Sequence, residues 1–202
     1  CYYQRTDPCG RKLGERVIVD PYRTHGMTWG AIGALVGADP EGNFMIAWIR
    51  GDGSAEDLQA LYVQGFDKEG NRIGMPTQVT FYEPSDPGPC DYVGWVCMCP
   101  DRRGGFYVAW DQDYCNREEH EEWNDCIWIR KYDINGNKIA GDALVRGWSS
   151  YCQEGECVVN GVSRILIEVE AGKDGGAILL WSETKRRNED GTPSGFYDIC
   201  IQ

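Results

Sequence analysis

Gly104-Gly105-Phe106-Tyr107-Val108-Ala109-Trp110 is the stretch that decides the fold, because the chain contains it in three versions. Phe44-Met45-Ile46-Ala47-Trp48 stands upstream and Ala177-Ile178-Leu179-Leu180-Trp181 downstream. Glycine turns precede each copy: Glu41-Gly42-Asn43, Arg103-Gly104-Gly105 and Asp174-Gly175-Gly176. The spacings are 62 residues from Trp48 to Trp110 and 71 from Trp110 to Trp181. A period of that size implies one supersecondary unit, stacked several times.

A second phrase follows the first two tryptophans. Leu61-Tyr62-Val63-Gln64-Gly65-Phe66-Asp67 matches Ile127-Trp128-Ile129-Arg130-Lys131-Tyr132-Asp133, and Cys1-Tyr2-Tyr3-Gln4-Arg5-Thr6-Asp7 matches both. Each runs into an Asp-x-x-Gly turn, at Asp7–Gly10, Asp67–Gly70 and Asp133–Gly136. Asp opens such turns by accepting from backbone N–H groups ahead of it, and Gly closes them at positive φ. A further strand-like stretch follows, with apolar anchors six apart: Leu13 and Val19, Ile73 and Val79, Ile139 and Val145. An even spacing puts both anchors on one strand face. Upstream of each Trp phrase lies another apolar run, at 31–37, 92–98 and 164–169. The unit therefore reads as a four-stranded antiparallel meander, and the chain as all-β, with no 3.6-residue apolar stripe.

Gly-Gly-Phe-x-Val-Ala-Trp followed by Tyr-x-Gln-x-Phe-Asp-x-x-Gly resembles the blades of β-propeller repeats in secreted and surface proteins of bacteria. That resemblance implies β-propeller-type blades along one repeat domain covering 1–202. A partial blade (strands three and four) falls at 1–20, blades at 31–80 and 91–146, and a partial blade (strands one to three) at 163–202. About three copies is fewer than a closed ring uses. The expectation is a segment of a longer propeller, or a sheet completed by a neighbouring chain through strand addition.

Ten cysteines in a 202-residue chain exceed what stabilising a core of this size requires. Among short strands they read as disulfides formed outside the cytosol. Cys115 with Cys126 is the first expected pair, as a staple across a hairpin, and Cys152 with Cys157 the second. Cys97 and Cys99 share a strand face, so one of them is expected to take Cys90. Cys1, Cys9 and Cys200 complete the set, with Cys1 and Cys200 at neighbouring positions of one repeated strand. Zinc is the competing reading for Cys97-x-Cys99 and Cys152-x4-Cys157, but a second ligand pair is missing.

The formal net charge of −12 argues against nucleic acid, which needs a basic stripe. No apolar run is long enough for a membrane span. The densest charge lies between Asp111 and Asp125, where Glu118, Glu119, Glu121 and Glu122 flank His120. Asp111, Asp113, Glu118 and Glu119 are candidate oxygen ligands for Ca²⁺; a solvated hairpin is the simpler reading. No cofactor is otherwise implied. His25 and His120 belong to no nucleophile signature, and Arg50-Gly51-Asp52 is ordinary turn material. Trp123, Trp148 and Tyr151 read as loop aromatics able to stack on sugars.

The sequence thus predicts an extracellular or cell-surface, disulfide-braced structural and binding module. Its partners are proteins or further copies, met through strand edges, as an adhesin segment or a subunit of an extracellular filament. The alternative is a secreted glycan-binding or glycan-hydrolysing propeller enzyme, whose paired carboxylates converge only in space.

Overall fold

The computed structural model describes residues 1–20, 33–51, 59–80, 92–116, 122–140, 143–153, 156–158, 162–185 and 197–201. Every regular element there is a strand, and all strand pairs are antiparallel. Sheet 1 is β1 (Tyr2–Thr6) and β2 (Lys12–Ile18). Sheet 2 is a meander of β3 (Ala34–Ala38), β4 (Phe44–Gly51), β5 (Gln59–Phe66) and β6 (Arg72–Gln78). Sheet 3 repeats it with β7 (Tyr92–Pro100), β8 (Phe106–Asn116), β9 (Glu122–Tyr132) and β10 (Ala143–Gln153). It then adds β11 (Glu156–Val158), a fifth strand that the repeat does not predict. Sheet 4 is β12 (Val162–Ala171), β13 (Ala177–Lys185) and β14 (Tyr197–Ile201).

The sheets pack face to face in chain order around three apolar layers. Val19, Phe44, Ile46, Trp48 and Phe66 fill the layer between sheets 1 and 2, with Cys1 and Tyr3 against them. Met45, Ala47, Ile49, Leu61 and Val63 meet Phe106, Val108, Trp110 and Tyr132 between sheets 2 and 3. Cys97, Cys99, Ala109, Ile127 and Ile129 meet Val169, Leu179 and Trp181 between sheets 3 and 4. The central strands of an interior sheet are buried on both faces, so they read as unbroken apolar runs rather than alternating ones. In β4, Phe44, Ile46 and Trp48 face backwards along the chain while Met45, Ala47 and Ile49 face forwards.

Trp48, Trp110 and Trp181 sit on the second strand of their meanders and are all buried, on the face turned to the preceding sheet. The Tyr3, Phe44 and Phe66 rings lock the first layer, with centroids 5.0–5.3 Å apart. Aromatic contacts of this kind are worth about 0.5–1.5 kcal/mol each beyond the area they bury.

Six hairpin turns share one construction. The N–H of the fourth residue donates to the carbonyl of the first, and the first residue's N–H donates to the fifth's carbonyl. Gly stands fourth at φ between 79° and 100° in Gly10, Gly42, Gly70, Gly104, Gly136 and Gly175. This is a type I turn closed by a left-handed residue, where a side chain would strain the backbone. Asp39, Asp67 and Asp133 each hold the fifth residue twice: Oδ1 accepts from the Asn N–H and Oδ2 from the Asn Nδ2, at 2.8–3.0 Å. Asp-x-x-Gly-Asn is therefore the unit of three of these six turns.

These turns cluster at one end of the stack. Tyr3 Oη donates to Gly70 O (2.8 Å), and Arg5 donates to Glu69 O. One sheet further on, the carbonyl of Ile134 lies so close to Gly65 that no Cβ would fit, and Asn135 O lies where a Cβ on Gly74 would meet it. Tyr107 Oη donates to Gly175 O. The fourth strands are gripped in a repeated way as well. Arg72 reaches back to the carbonyls of Ile18 and Val19, and Arg130 to that of Val79.

The six-residue anchor spacing does not bury both ends. Val19 and Val79 are buried, but Leu13 and Ile139 are exposed. β1–β2 and β5–β6 each carry a register shift between the anchors. Ile139 lies outside β10 altogether.

Candidate functional site: the loop-bearing end

With the six glycine turns at one end, the opposite end carries the connections after β2, β4, β6, β8 and β13, together with the short link from β10 to β11. A polar cluster spans sheets 1 and 2 there. Asp20, directly after β2, is buried. Its Oδ2 accepts from Trp48 Nε1 at 2.9 Å and pairs with Arg50 Nε at 3.1 Å. The Arg50 guanidinium lies 5.0 Å over the Tyr62 ring, which stacks on Trp48 at 5.7 Å. Burial works against the Arg50 charge, yet the Tyr62 hydroxyl and Asp20 hold its pKa above the usual value. Tyr62 Oη donates to Gln78 Oε1 (3.2 Å), and Gln78 Nε2 donates to Thr80 O (2.7 Å). Arg50 thus serves inside this cluster; Asp52, the last residue of Arg50-Gly51-Asp52, lies outside the described residues.

Sheet 3 solves the same position differently. Trp110 Nε1 donates to Gln112 Oε1 at 3.1 Å, and Arg130 lies 5.3 Å over the Trp110 ring. Asp111 faces the other way and is buried, with its carboxylate in the space a side chain on Gly94 would need. Gly94 sits in the register shift of β7. Asp113 is two residues along β8, opposite Asp125. Glu118 and Glu119 lie outside the described residues, so the structure does not test the four as a set. Among the described residues no group of three or more His, Cys, Asp or Glu is placed to hold a metal ion.

The cysteines divide. Cys97 and Cys99 share the face of β7 that packs on sheet 4, as their spacing requires. Burial, reinforced by Glu168 and Asp111 for Cys97 and by Glu170 and Glu168 for Cys99, pushes both thiols up to about 12. Thiols held neutral in this way are poor nucleophiles. Cys90 lies outside the described residues. Cys1 borders the first apolar layer, Cys9 is exposed in its turn, and Cys200 stands opposite Trp181 in sheet 4.

Backbone register separates the two expected staples. Cys152 and Cys157 are direct partners across β10 and β11. Cys115 stands opposite Trp123 and Cys126 opposite Gln112, three rungs apart along the β8–β9 ladder. Three rungs span about 10 Å, beyond the roughly 4.4–6.8 Å between Cα atoms that a disulfide bridges. This register does not bring Cys115 and Cys126 together. Trp123, Trp148 and Tyr151, expected in loops, instead lie on β9 and β10, because the hairpin strands run on past the apolar layer.

Gln64 was legible only as a repeat position. It is fully buried beside a register shift between Val63 and Gly65. Its Nε2 donates to Gly65 O (3.0 Å) and Ile73 O (2.8 Å), and Gln4 makes the matching bonds to Arg5 O and Leu13 O. The amide replaces ladder bonds that the irregularity removes. The signal was the Gln shared by the two phrases.

No protein-family model matches the chain, and no curated protein matches it. Among solved structures, an endo-arabinase from Bacteroides thetaiotaomicron VPI-5482 is similar at TM-score 0.41 and 13% identity. The alignment covers 96% of this chain and 62% of that one.

Proposed function

We propose that the chain is an extracellular, propeller-type repeat module with a structural and binding role. One observation carries the reading: successive sheets dock on one another through equivalent contacts. Each second-strand Trp is buried toward the sheet before it. The Asp67 and Asp133 turns each reach back to the third strand of the preceding sheet. Such a stack is a rigid platform, and its variable segments leave from one end, where they can meet a protein partner without disturbing the layers.

The cross-strand partnership of Cys152 with Cys157 supports the oxidising location. Directly opposed antiparallel residues bring Cα atoms to about 4.5–5.5 Å, within disulfide range.

Non-reducing peptide mapping of protein secreted from cells tests this reading. The expected result is a peptide linked through Cys152 and Cys157, and a midpoint of thermal unfolding that falls on reduction. Ten thiols open to alkylation in the native secreted protein would refute the extracellular, disulfide-braced part of it.

A further inference from the structure

The crossover from sheet 3 to sheet 4 contains a small hairpin of its own. β10 pairs with β9 from Ala143 to Ser150. Its last three residues, Tyr151, Cys152 and Gln153, pair instead with Val158, Cys157 and Glu156 of β11. β11 has β10 as its one neighbour in the sheet. The two ladders on β10 do not overlap, so three rungs carry this arm among the described residues. Sheet 2, a meander of the same order, ends at its fourth strand. The repeat therefore does not require the arm.

Three rungs hold a strand weakly. A two-stranded hairpin without a third strand is marginally stable at best in water. The middle rung is the Cys152–Cys157 pair, and a bond there closes a loop of six residues, 152–157. In the chain-entropy model that closure favours the paired arm roughly 40-fold over the open one. The covalent bond, rather than the ladder, then decides whether the arm is formed.

We propose that Cys152 and Cys157 are a redox latch on this crossover. Closed, the latch orders the arm and leaves three residues, 159–161, between β11 and β12. Open, the arm frays, and eleven residues, 151–161, separate the part of β10 paired with β9 from β12. The bond thus sets the length of the tether between sheets 3 and 4 and the amount of ordered chain at the loop-bearing end. Closing it forms one S–S bond and breaks that of a small-molecule disulfide. Two electrons and two protons pass to that disulfide, which leaves as two thiols. The inference rests on the disulfide-braced part of the proposed function and gives one bond a regulatory task.

The test is hydrogen exchange read by mass spectrometry on the 202-residue chain, as wild type and as the Cys152→Ser/Cys157→Ser double variant, both held in glutathione disulfide. All other bridges are common to the two, so a difference belongs to this pair. Peptides covering 151–158 are expected to exchange roughly 40-fold slower in the wild type, and 143–150 alike in both. Dithiothreitol should abolish the slowing in the wild type, and glutathione disulfide restore it. Circular dichroism shows whether the double variant folds; if it does not, oxidised and reduced wild type read the same amides.

Absence of a Cys152–Cys157 linked peptide in glutathione disulfide would overturn the proposal. So would equal exchange in 151–158 with the bond closed and open, since the ladder would then hold by itself. Slowing of the same size across 143–150 would also overturn it, and would make the bond a general brace. Each of these results leaves the module reading standing as long as other cysteines are bridged in the secreted protein; ten open thiols there would remove both.

Discussion

Replacing Asp20 by Ala removes the one acceptor that ties Trp48 of sheet 2 to sheet 1 at the loop end. Two losses follow. Trp48 Nε1 is buried and gives up a 2.9 Å bond, and a buried donor left unsatisfied costs about 1–3 kcal/mol. Arg50 gives up its carboxylate partner. Its side chain is 33% exposed, so water takes over part of the guanidinium, and this share is about 1 kcal/mol or less. The sum is about 1–4 kcal/mol, or roughly 2–16 °C of thermal midpoint at about 2–4 °C per kcal/mol for a chain of this length. Asp20→Asn separates the two parts, because the amide oxygen still accepts from the indole. It should cost only the ion-pair share, about 1 kcal/mol or less. Urea unfolding followed by Trp fluorescence reads both variants, with Trp48 itself a reporter. If Asp20→Ala lies within about 0.5 kcal/mol of wild type, the value of an ordinary surface change, the cluster does not couple the sheets. If Asn and Ala cost the same, the indole bond contributes nothing.

Gly65→Ala should drive the Asp133–Asn137 turn off sheet 2, because the Ile134 carbonyl occupies the Cβ position. Overpacking costs about 1–3 kcal/mol, and faster hydrogen exchange across the turn would locate it; unchanged exchange and stability would count against the inter-sheet contact. Gln64→Leu leaves the Gly65 and Ile73 carbonyls without their shared donor. At about 1–3 kcal/mol for each buried orphan it should be among the most damaging single changes in β5; a loss no larger than an exposed substitution would show that the bulge needs no amide.

Asp101 gives a pH signature. Burial alone would raise its carboxyl pKa, but the Lys131 ammonium and the Arg103 N–H more than offset this and hold it below the ordinary value. A carboxyl pKa depressed by folding stabilises above the unfolded value of about 3.9 and loses that contribution as pH falls through the folded value. Asp101→Asn should therefore be less stable than wild type at pH 7 and lose less on acidification below about pH 4. Parallel stability–pH curves for the two proteins would exclude the pairing.

The repeat in Trp48, Trp110 and Trp181, the Asp-x-x-Gly turns and the continuous apolar runs determined an all-β chain of meanders, and the strand order of sheet 2 follows directly from them. These are local properties: alternation, turn chemistry and propensity act within a few residues. Register was less legible. Cys115 and Cys126 look like a staple when the intervening residues are counted, yet the β8–β9 ladder sets them three rungs apart. Pairing register follows from where the hairpin closes, not from the separation along the chain. The fifth strand of sheet 3 and the exposure of Leu13 and Ile139 were likewise invisible, because bulges and strand ends answer to the sheet opposite.

Asp20 shows the limit most plainly. In sequence it is one of 32 acidic residues, 28 positions from the Trp it holds and 30 from the Arg it neutralises. Only the stacking of sheet 1 on sheet 2 makes it a buried partner, because a contact between sheets depends on packing that no local pattern encodes.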